Sequence, residues 1–334
     1  MTVSADPALQ EILDRFARRD RRALARALSW VEDQRPGFEG LLHAIHGSLG
    51  TAYRVGFTGP PGAGKSTLTE RYALLCRSRG QTVGILAVDP SSPYTGGALL
   101  GDRIRMRSLA LDEGVFIRSM ASRGRLGGLA TTSLEAADLL EAFGFDVVIH
   151  ETVGVGQTER DIVSAADTTV VVLVPESGDA IQAMKAGLME IADVFVVNKS
   201  DRPGADQLER ALRSTMALKA RREDDWKPPI VRTVGIDGHG IEELDRAIAA
   251  HRAHGEATGA LGAKRRSRVA ERVRDLVTRR LERHVWLESR GEERLAEALE
   301  RIERGEETPY SAAARIVAAT GLFPDGGPNA ETEA

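Results

Sequence analysis

Two hydrophobic patterns alternate through the middle of the chain. Short continuous runs rich in Val and Ile are followed by segments in which apolar residues recur every three or four positions. Continuous runs separated by helices are typical of a parallel sheet buried on both faces. The pattern predicts strands at 54–58, 83–88, 115–119, 146–150, 168–174, 193–197 and 230–233, and helices at 65–79, 132–143, 180–190, 207–218 and 241–251. We expect an α/β fold, a doubly wound and mainly parallel sheet with its chemistry at the carboxyl ends of the strands.

Helical spacing of apolar residues continues at both ends of the chain. Residues 7–32 predict one or two amphipathic helices packed on the sheet domain, and their mixed charges disfavour the alternative of a membrane-surface helix. Residues 263–318 are predicted to be charged helices that either wrap their own domain or form an interface. Apolar residues spaced to suit packing on a second subunit are Val269, Val273, Leu276, Leu281 and Val285.

These patterns divide the chain into four predicted regions. They are an N-terminal helical extension (1–50), a central α/β domain (51–255), a C-terminal helical arm (256–322) and a tail (323–334). The tail consists mainly of turn-forming residues and acids, so we expect it to be disordered.

The composition narrows the class of protein. The 334 residues carry a net charge of −4 with both signs intermixed, which is not the basic surface of a nucleic-acid-binding protein. The single cysteine, Cys76, argues against disulfides or a thiolate metal site and indicates a reducing compartment. No apolar run approaches the roughly 18 residues that span a bilayer, and the N-terminus lacks the apolar core of a secretory signal. We expect a cytoplasmic protein that binds neither nucleic acid nor membranes.

A phosphate-binding pattern lies between the first predicted strand and its helix. Residues 55–67 read V-G-F-T-G-P-P-G-A-G-K-S-T, which contains G-x-x-x-x-G-K-[ST]. Glycines let successive backbone N–H groups point at a phosphate, Lys65 is placed to bridge the β- and γ-phosphates, and the Ser66 hydroxyl suits Mg²⁺. The alternative is an ordinary glycine-rich turn. The predicted nucleotide-binding residues are Gly59, Pro60, Pro61, Gly62, Ala63, Gly64, Lys65, Ser66 and Thr67.

A second motif follows the strand at 193–197 and indicates which base is bound. Asn198, Lys199, Ser200 and Asp201 form N-K-x-D, the pattern that reads guanine. The Asp201 carboxylate can accept from both the N1–H and the 2-amino group of guanine, whereas adenine would leave it unpaired. A turn at the end of the strand is the alternative, since Asn and Asp favour such positions. The motif favours GTP over ATP.

Acidic residues after two further strands are candidates for the metal site. Glu151 begins E-T-V-G, and the Gly154 N–H is spaced to reach the γ-phosphate. Val155 occupies the position where many GTPases carry a glutamine that orients water, so intrinsic hydrolysis should be slow. Asp89 and Asp102 lie in a Pro- and Gly-rich segment. From chemistry alone they are either metal ligands on a mobile loop or residues that cap a turn and pair with arginine.

With these motifs in place, the sequence resembles the MeaB/ArgK family of GTPases, which includes the methylmalonic aciduria type A proteins. Long segments carry the resemblance: R-A-L-A-R-A at 22–27, G-P-P-G-A-G-K-S-T at 59–67, A-V-D-P-S-S-P-Y-T-G-G-A-L-L-G-D-R-I-R-M at 87–106, S-R-G-R-L-G-G-L-A at 122–130, E-T-V-G-V-G-Q at 151–157 and E-I-A-D-V-F-V-V-N-K at 190–199. It covers residues 18–320.

The resemblance implies a fold, an activity and a partner. The fold is that of a P-loop NTPase of the SIMIBI type, and the activity is Mg²⁺-dependent hydrolysis of GTP to GDP and phosphate. The partner is an adenosylcobalamin-dependent acyl-CoA mutase, whose cofactor loading the GTPase gates and which it protects or reactivates. The C-terminal helices match the dimerisation arm of the family, which implies a homodimer.

The resemblance also implies roles for individual residues. Asp89, Asp102 and Glu151 match the acids that serve Mg²⁺ and the switch segments. Residues 175–187 match a further switch, in which Gln182 and Lys185 couple the nucleotide state to the mutase.

Two positions depart from the family pattern. The guanine loop S-A-L aligns with Val234, Gly235 and Ile236, where a backbone N–H contact to the guanine carbonyl survives any side chain. Glu176 stands where glycine is usual, within the segment that matches the further switch.

Two other classes of protein carry a phosphate loop. A metallochaperone GTPase for nickel or another metal would have His-rich or Cys-containing stores, and seven scattered histidines with one cysteine disfavour it. The other class is a P-loop kinase, since proteins of the MeaB/ArgK family were once named transport kinases. The N-K-x-D motif disfavours this class.

Overall fold

The structure is a computed structural model that describes residues 7–89, 106–109, 111–121, 128–152, 165–176, 188–217 and 225–322. The chain divides into two compact units, residues 1–265 and 266–334. The first unit contains a seven-stranded sheet and the second contains helices.

The sheet is entirely parallel, which confirms the predicted α/β class. Its strands are β1 (Tyr53–Thr58), β2 (Val83–Asp89), β3 (Val115–Ala121), β4 (Val147–Thr152), β5 (Thr168–Leu173), β6 (Val194–Asn198) and β7 (Ile230–Thr233). They run in the order β3-β2-β4-β1-β5-β6-β7. Every residue of β1, β4, β5 and β6 is buried, as continuous Val- and Ile-rich runs require when helices cover both faces.

Helices of the first unit cover the two faces of the sheet. They are α1 (Pro7–Ala17), α2 (Arg21–Glu32), α3 (Phe38–Ile45), α4 (Lys65–Ser78), α5 (Gly128–Phe143), α6 (Ala205–Ala217) and α7 (Ile241–Ala257). On one face α4 and α7 pack over β1 through side chains such as Phe57, Leu68 and Leu244. On the other, α1–α3 and α5 pack over β2 and β4, while α6 packs over β5 and β6. The N-terminal helices therefore share a core with the sheet.

The start and end of each element have local causes. Asp20 caps α2, where its carboxylate accepts from the Arg22 N–H at 2.8 Å and the Ala23 N–H at 3.4 Å. The short helix α3 was not predicted, because its eight residues bury only Leu41 and Ile45 and so give a weak periodic signal. Most of the predicted helix at 180–190 lies outside the described residues, and Met189–Ile191 form a single helical turn.

The second unit is helical, as predicted for the C-terminal extension. It contains most of α8 (Ala260–Arg283), a π-helical turn (His284–Glu288), α9 (Gly291–Glu303) and α10 (Pro309–Ala318). Thr308 caps α10 in a reciprocal capping box with Ser311. The tail at 323–334 lies outside the described residues.

The apolar residues of α8 are largely exposed. Val269 is 59% exposed and Val273 54%, and both Leu276 and Leu281 are 45% exposed. Among the described helices, none combines the length and the apolar composition needed to cross a bilayer.

Candidate nucleotide-binding site

The phosphate-loop sequence joins the carboxyl end of β1 to the first residue of α4. Two of its glycines are required by the geometry. Gly59 has φ 138°, and a Cβ there would lie 2.0 Å from the carbonyl oxygen of Val172. Gly64 has φ 90°, and its Cβ would lie 2.3 Å from Nδ2 of Asn198. The loop therefore lies close against the neighbouring strands, with its backbone turned inward.

Lys65, the first residue of α4, is buried at the centre of this loop. Its ammonium donates to the carbonyl of Gly59 at 2.8 Å and to that of Pro60 at 3.0 Å. These two carbonyls orient the ammonium within the loop. Together with the N-terminus of α4, Lys65 gives the loop the positive potential that a phosphate requires.

Ser66 and Glu151 meet beside the loop although they are 85 residues apart in sequence. The Ser66 hydroxyl donates to the Glu151 carboxylate, and Glu151 is 7% exposed in the strand between β1 and β2. A hydroxyl and a carboxylate in contact are hard oxygen ligands that suit Mg²⁺, which is commonly held by one or two protein groups and nucleotide phosphates. Over the described ranges there is no cluster of three or more His, Cys, Asp or Glu side chains that could hold a metal without such phosphates.

Asn198 joins the phosphate loop to the loop after β7. Its Nδ2 donates to the carbonyl of Ala63 at 2.8 Å. Its Oδ1 accepts from the Thr233 hydroxyl at 3.0 Å and from the Gly235 N–H at 3.1 Å. The side chain is 2% exposed, so these three bonds fix its position. The phosphate-loop sequence and the loop after β7 are thereby held in one geometry.

The residues after Asn198 face outward from the same edge. Lys199 has φ 55°, a left-handed conformation that turns the chain sharply away from β6. Its ammonium lies 3.7 Å from a carboxylate oxygen of Glu176, which also pairs with Arg202. The hydrogen bond from Arg202 and the nearby charges hold the pKa of Glu176 below its usual value. Asp201 is exposed, as a carboxylate that meets an incoming base should be.

Comparisons with known proteins agree with this geometry. A family model described as methylmalonyl-CoA mutase-associated GTPase MeaB matches residues 24–290. The chain belongs to the MeaB family of GTPases. Membership confirms the predicted family and shows that the protein is a P-loop GTPase that binds GTP and GDP.

Individual members of the family are similar over nearly the whole chain. A Pyrococcus abyssi protein that carries the name GTPase is 47% identical over 92% of this chain and 96% of its own length. The GTPase ArgK of Escherichia coli is 37% identical over 84% of this chain and 87% of its own. The crystal structure of a LAO/AO transport system kinase superposes with a TM-score of 0.70 at 29% identity, covering 95% of this chain and 99% of that one.

One contact at the MeaB-family site was not predicted from the sequence. Arg71 of α4 donates through Nε to the carbonyl of Gly235 at 3.2 Å and through Nη2 to the carbonyl of Ile236. The bonds join residues 164 and 165 positions apart. A lone arginine on a helix carries no signal that it reaches a distant loop.

Several predicted site residues are not described. Asp102, Gly154, Gln182 and Lys185 lie outside the described residues, as do Val155 and Gln157. Asp89 is the last residue of β2, and it pairs in register with Ala121 of β3. The structure describes the backbone of Asp89 and not its side chain. The predicted guanine loop, residues 234–236, lies next to Asn198, because the Gly235 N–H donates to the Asn198 side chain.

Proposed function

We infer that the GTP cycle of this protein gates the loading of adenosylcobalamin into a partner acyl-CoA mutase and protects or reactivates that mutase. The nucleotide part of the proposal rests on one observation, the three hydrogen bonds by which Asn198 ties the phosphate loop to the 234–236 loop. The partner part rests on the description of the matched family, which names association with methylmalonyl-CoA mutase.

The phosphate loop binds the nucleotide phosphates in this proposal. The backbone N–H groups of the non-proline residues in 59–67 would surround the β-phosphate, and Lys65, which donates to two loop carbonyls, would bridge the β- and γ-phosphates. The carbonyls hold the ammonium at the loop until nucleotide enters. Little reorganisation is then needed when the phosphates bind.

Ser66 and Glu151 would hold Mg²⁺, together with Asp89 and Asp102. Because the Ser66 hydroxyl donates its proton to Glu151, its lone pairs would be available to the cation. A bound Mg²⁺ neutralises charge that develops on the phosphate oxygens. The Gly154 N–H donates to the γ-phosphate.

The base is read at the carboxyl ends of β6 and β7. Asp201 accepts from the guanine N1–H and 2-amino groups, and the backbone of Val234, Gly235 and Ile236 faces the guanine carbonyl. This arrangement supplies selectivity for guanine, since adenine has no matching donors at these positions.

Hydrolysis by the isolated protein is slow, since Val155 offers no group to orient water. The mutase accelerates it by ordering the switch segments, and Gln182 and Lys185 carry this coupling. The exposed apolar residues of α8 form the contact of a homodimer.

The test is steady-state phosphate release with and without each candidate partner: methylmalonyl-, isobutyryl-, ethylmalonyl- or hydroxyisobutyryl-CoA mutase. We expect one mutase to accelerate release. Lys185→Ala should abolish this stimulation, while Lys227→Ala, a lysine outside the proposed switch, should leave it intact. A basal rate that no mutase alters, together with no mutase co-purifying, would contradict the proposed partner.

A further inference from the structure

The loop at 234–236 is held mainly by its backbone. Gly235 has no side chain, and a Cβ at that position would only touch Asn198, Leu68 and Thr67 at 3.4 Å. The Ile236 side chain is 75% exposed and so anchors nothing. The position of the loop tip therefore depends on hydrogen bonds to its peptide groups.

Arg71 supplies two of those hydrogen bonds. It lies on α4, the helix that begins with Lys65, and it donates to two successive carbonyls, those of Gly235 and Ile236. The fork of N–H groups on a guanidinium can hold both oxygens at once, which the single ammonium of a lysine does less well. Helix α4 thus carries Lys65 at its first position and Arg71, which binds the 234–236 loop, about one and a half turns later.

This clamp also fixes the direction of a backbone donor. In a trans peptide the carbonyl of one residue and the N–H of the next point in opposite directions. Because Arg71 holds the Gly235 carbonyl against α4, the Ile236 N–H points away from α4. The neighbouring donors are engaged, since the Gly235 N–H bonds Asn198 and the Asp237 N–H bonds Val234, both at 3.1 Å. Within the described part of the chain, no group accepts from the Ile236 N–H.

We propose that Arg71 is a specificity-determining positioning residue, which aims the Ile236 N–H at the C6 carbonyl of guanine by clamping the Gly235 and Ile236 carbonyls. The inference rests on the proposed placement of the base against the 234–236 loop. It adds to that proposal a residue that touches no nucleotide and yet sets how strongly the base carbonyl is recognised.

The experiment compares two nucleotides that differ at the base carbonyl. GDP carries the C6 oxygen, whereas 2-aminopurine riboside diphosphate keeps the 2-amino group and lacks that oxygen and, with it, the N1–H. The Asp201 contact to N1–H is therefore absent from this nucleotide in both wild type and Arg71→Ala, and only the effect of Arg71→Ala is compared. Calorimetric titration should show that Arg71→Ala weakens GDP binding about tenfold and 2-aminopurine nucleotide binding by less than about twofold. Single-turnover hydrolysis at saturating GTP should keep its rate, because the contacts of Arg71 are to the 234–236 loop.

Three variants serve as references. Arg71→Lys keeps the charge and one hydrogen bond, so its GDP affinity should lie between wild type and Arg71→Ala. Arg79→Ala removes another arginine of this helical region, one that pairs with Asp245 at 2.6 Å, and should leave GDP affinity unchanged. Adding Gly235→Ala to Arg71→Ala stiffens the loop at a position where φ is not positive, and should restore part of the lost affinity.

Equal weakening of both nucleotides by Arg71→Ala would overturn the inference, because Arg71 would then support the fold and not the base carbonyl. Unchanged GDP affinity would overturn it as well. Asp201→Asn, titrated in parallel, separates this failure from that of the proposed base site. If Asp201→Asn loses GDP affinity and Arg71→Ala does not, only the inference about Arg71 is wrong. If neither variant loses affinity, the base does not bind here.

Discussion

The buried charged side chains at the two ends of the parallel sheet have different kinds of partner. At the amino ends of the strands, buried charges pair with one another. Arg54 bonds Asp138 at 2.7 Å and contacts Glu141, and the buried Asp167 accepts from Arg265 at 2.7 Å. At the carboxyl ends, the buried Lys65 is held by neutral carbonyls. The first arrangement is a set of ion pairs between side chains of the fold, and the second places a buried ammonium at the first turn of a helix, where an anion is favoured.

The pairing at the amino end controls the charge state of Arg54. Burial opposes the charge on this guanidinium, but the Asp138 and Glu141 carboxylates outweigh that effect and raise the pKa of Arg54 above its usual value. A buried charge whose counter-charges are provided by the fold stabilises structure and needs no ligand. A buried perturbed group is therefore evidence for a binding site only when its partners leave charge to be satisfied.

Breaking the amino-end network should have the largest effect. Arg54→Met removes the cation that the buried Asp138 and Glu141 carboxylates share, so the free energy of unfolding should fall by about 3–5 kcal/mol. Urea denaturation measures this loss. GDP affinity of the folded fraction should stay within about twofold, because the network contacts none of the phosphate-loop residues. A loss of GDP affinity without a loss of stability would contradict the structural role of this end.

Disturbing the carboxyl end should give the reverse result. Gly64→Ala places a Cβ 2.3 Å from Nδ2 of Asn198, and displacing Asn198 should weaken GDP binding about a hundredfold. Gly62→Ala is the matched control, since Gly62 also has positive φ (74°) but its Cβ would meet nothing within 4 Å. The two variants share the backbone strain and differ in the clash. Equal GDP affinities in the two variants would show that strain, and not Asn198, matters.

A narrower change at the carboxyl end separates hydrolysis from binding. Glu151→Gln keeps the size of the side chain but removes its charge, so single-turnover GTP hydrolysis should fall about 10- to 100-fold. GDP affinity measured without Mg²⁺ should change little. Glu135→Gln is the control, because Glu135 is a buried acid on α5 outside the proposed metal site. Unchanged hydrolysis in Glu151→Gln would remove Glu151 from that site.

The smallest expected effect is on the pH dependence of the free energy of unfolding, through His251 at the amino ends of the strands. Burial lowers the pKa of His251, and the Asp193 carboxylate 3.4 Å away offsets this only in part. The unfolded chain takes up a proton as pH falls through about 6.5, whereas the folded chain keeps His251 neutral to lower pH. The contribution of His251 to the free energy of unfolding is therefore complete above pH 6.5. It is lost as the pH falls below this value, by at most about 1.4 kcal/mol per pH unit.

His251→Gln should flatten this part of the stability profile. Urea midpoints between pH 7.5 and pH 5.5 measure it, with His254→Gln as the matched control for an imidazole that also lies against Trp226. A His251→Gln profile that falls as steeply as the wild-type profile between pH 7.5 and pH 5.5 would contradict this role of His251.

The sequence predicted the features that depend on neighbours in the chain. All seven strands lie within two residues of their predicted bounds, because a buried parallel strand is a continuous apolar run. The phosphate loop was predicted from its glycine spacing, which the positive φ of Gly59 and Gly64 explains. The helix α5 begins at Gly128, four residues before its predicted start at Thr132, and element ends are set by contacts that periodicity does not contain.

Features that depend on distant residues were not predicted. Arg54 lies in an apolar strand, and nothing near it in sequence indicates that Asp138, 84 residues away, would pair with it. Arg71 likewise gives no sign of reaching Gly235. The closeness of Ser66 and Glu151 was expected for a different reason, since the carboxyl ends of adjacent parallel strands meet at one edge.

The claim that the carboxyl end is a guanine-specific site is tested most directly by calorimetric titration of wild type and Asp201→Asn. Wild type should bind GDP and not ADP. Asp201→Asn should lose about 10- to 100-fold in GDP affinity and gain affinity for xanthosine diphosphate, because the amide replaces one acceptor by a donor. Wild-type protein that binds ADP as tightly as GDP, or an Asp201→Asn variant that binds GDP as wild type does, would contradict the claim.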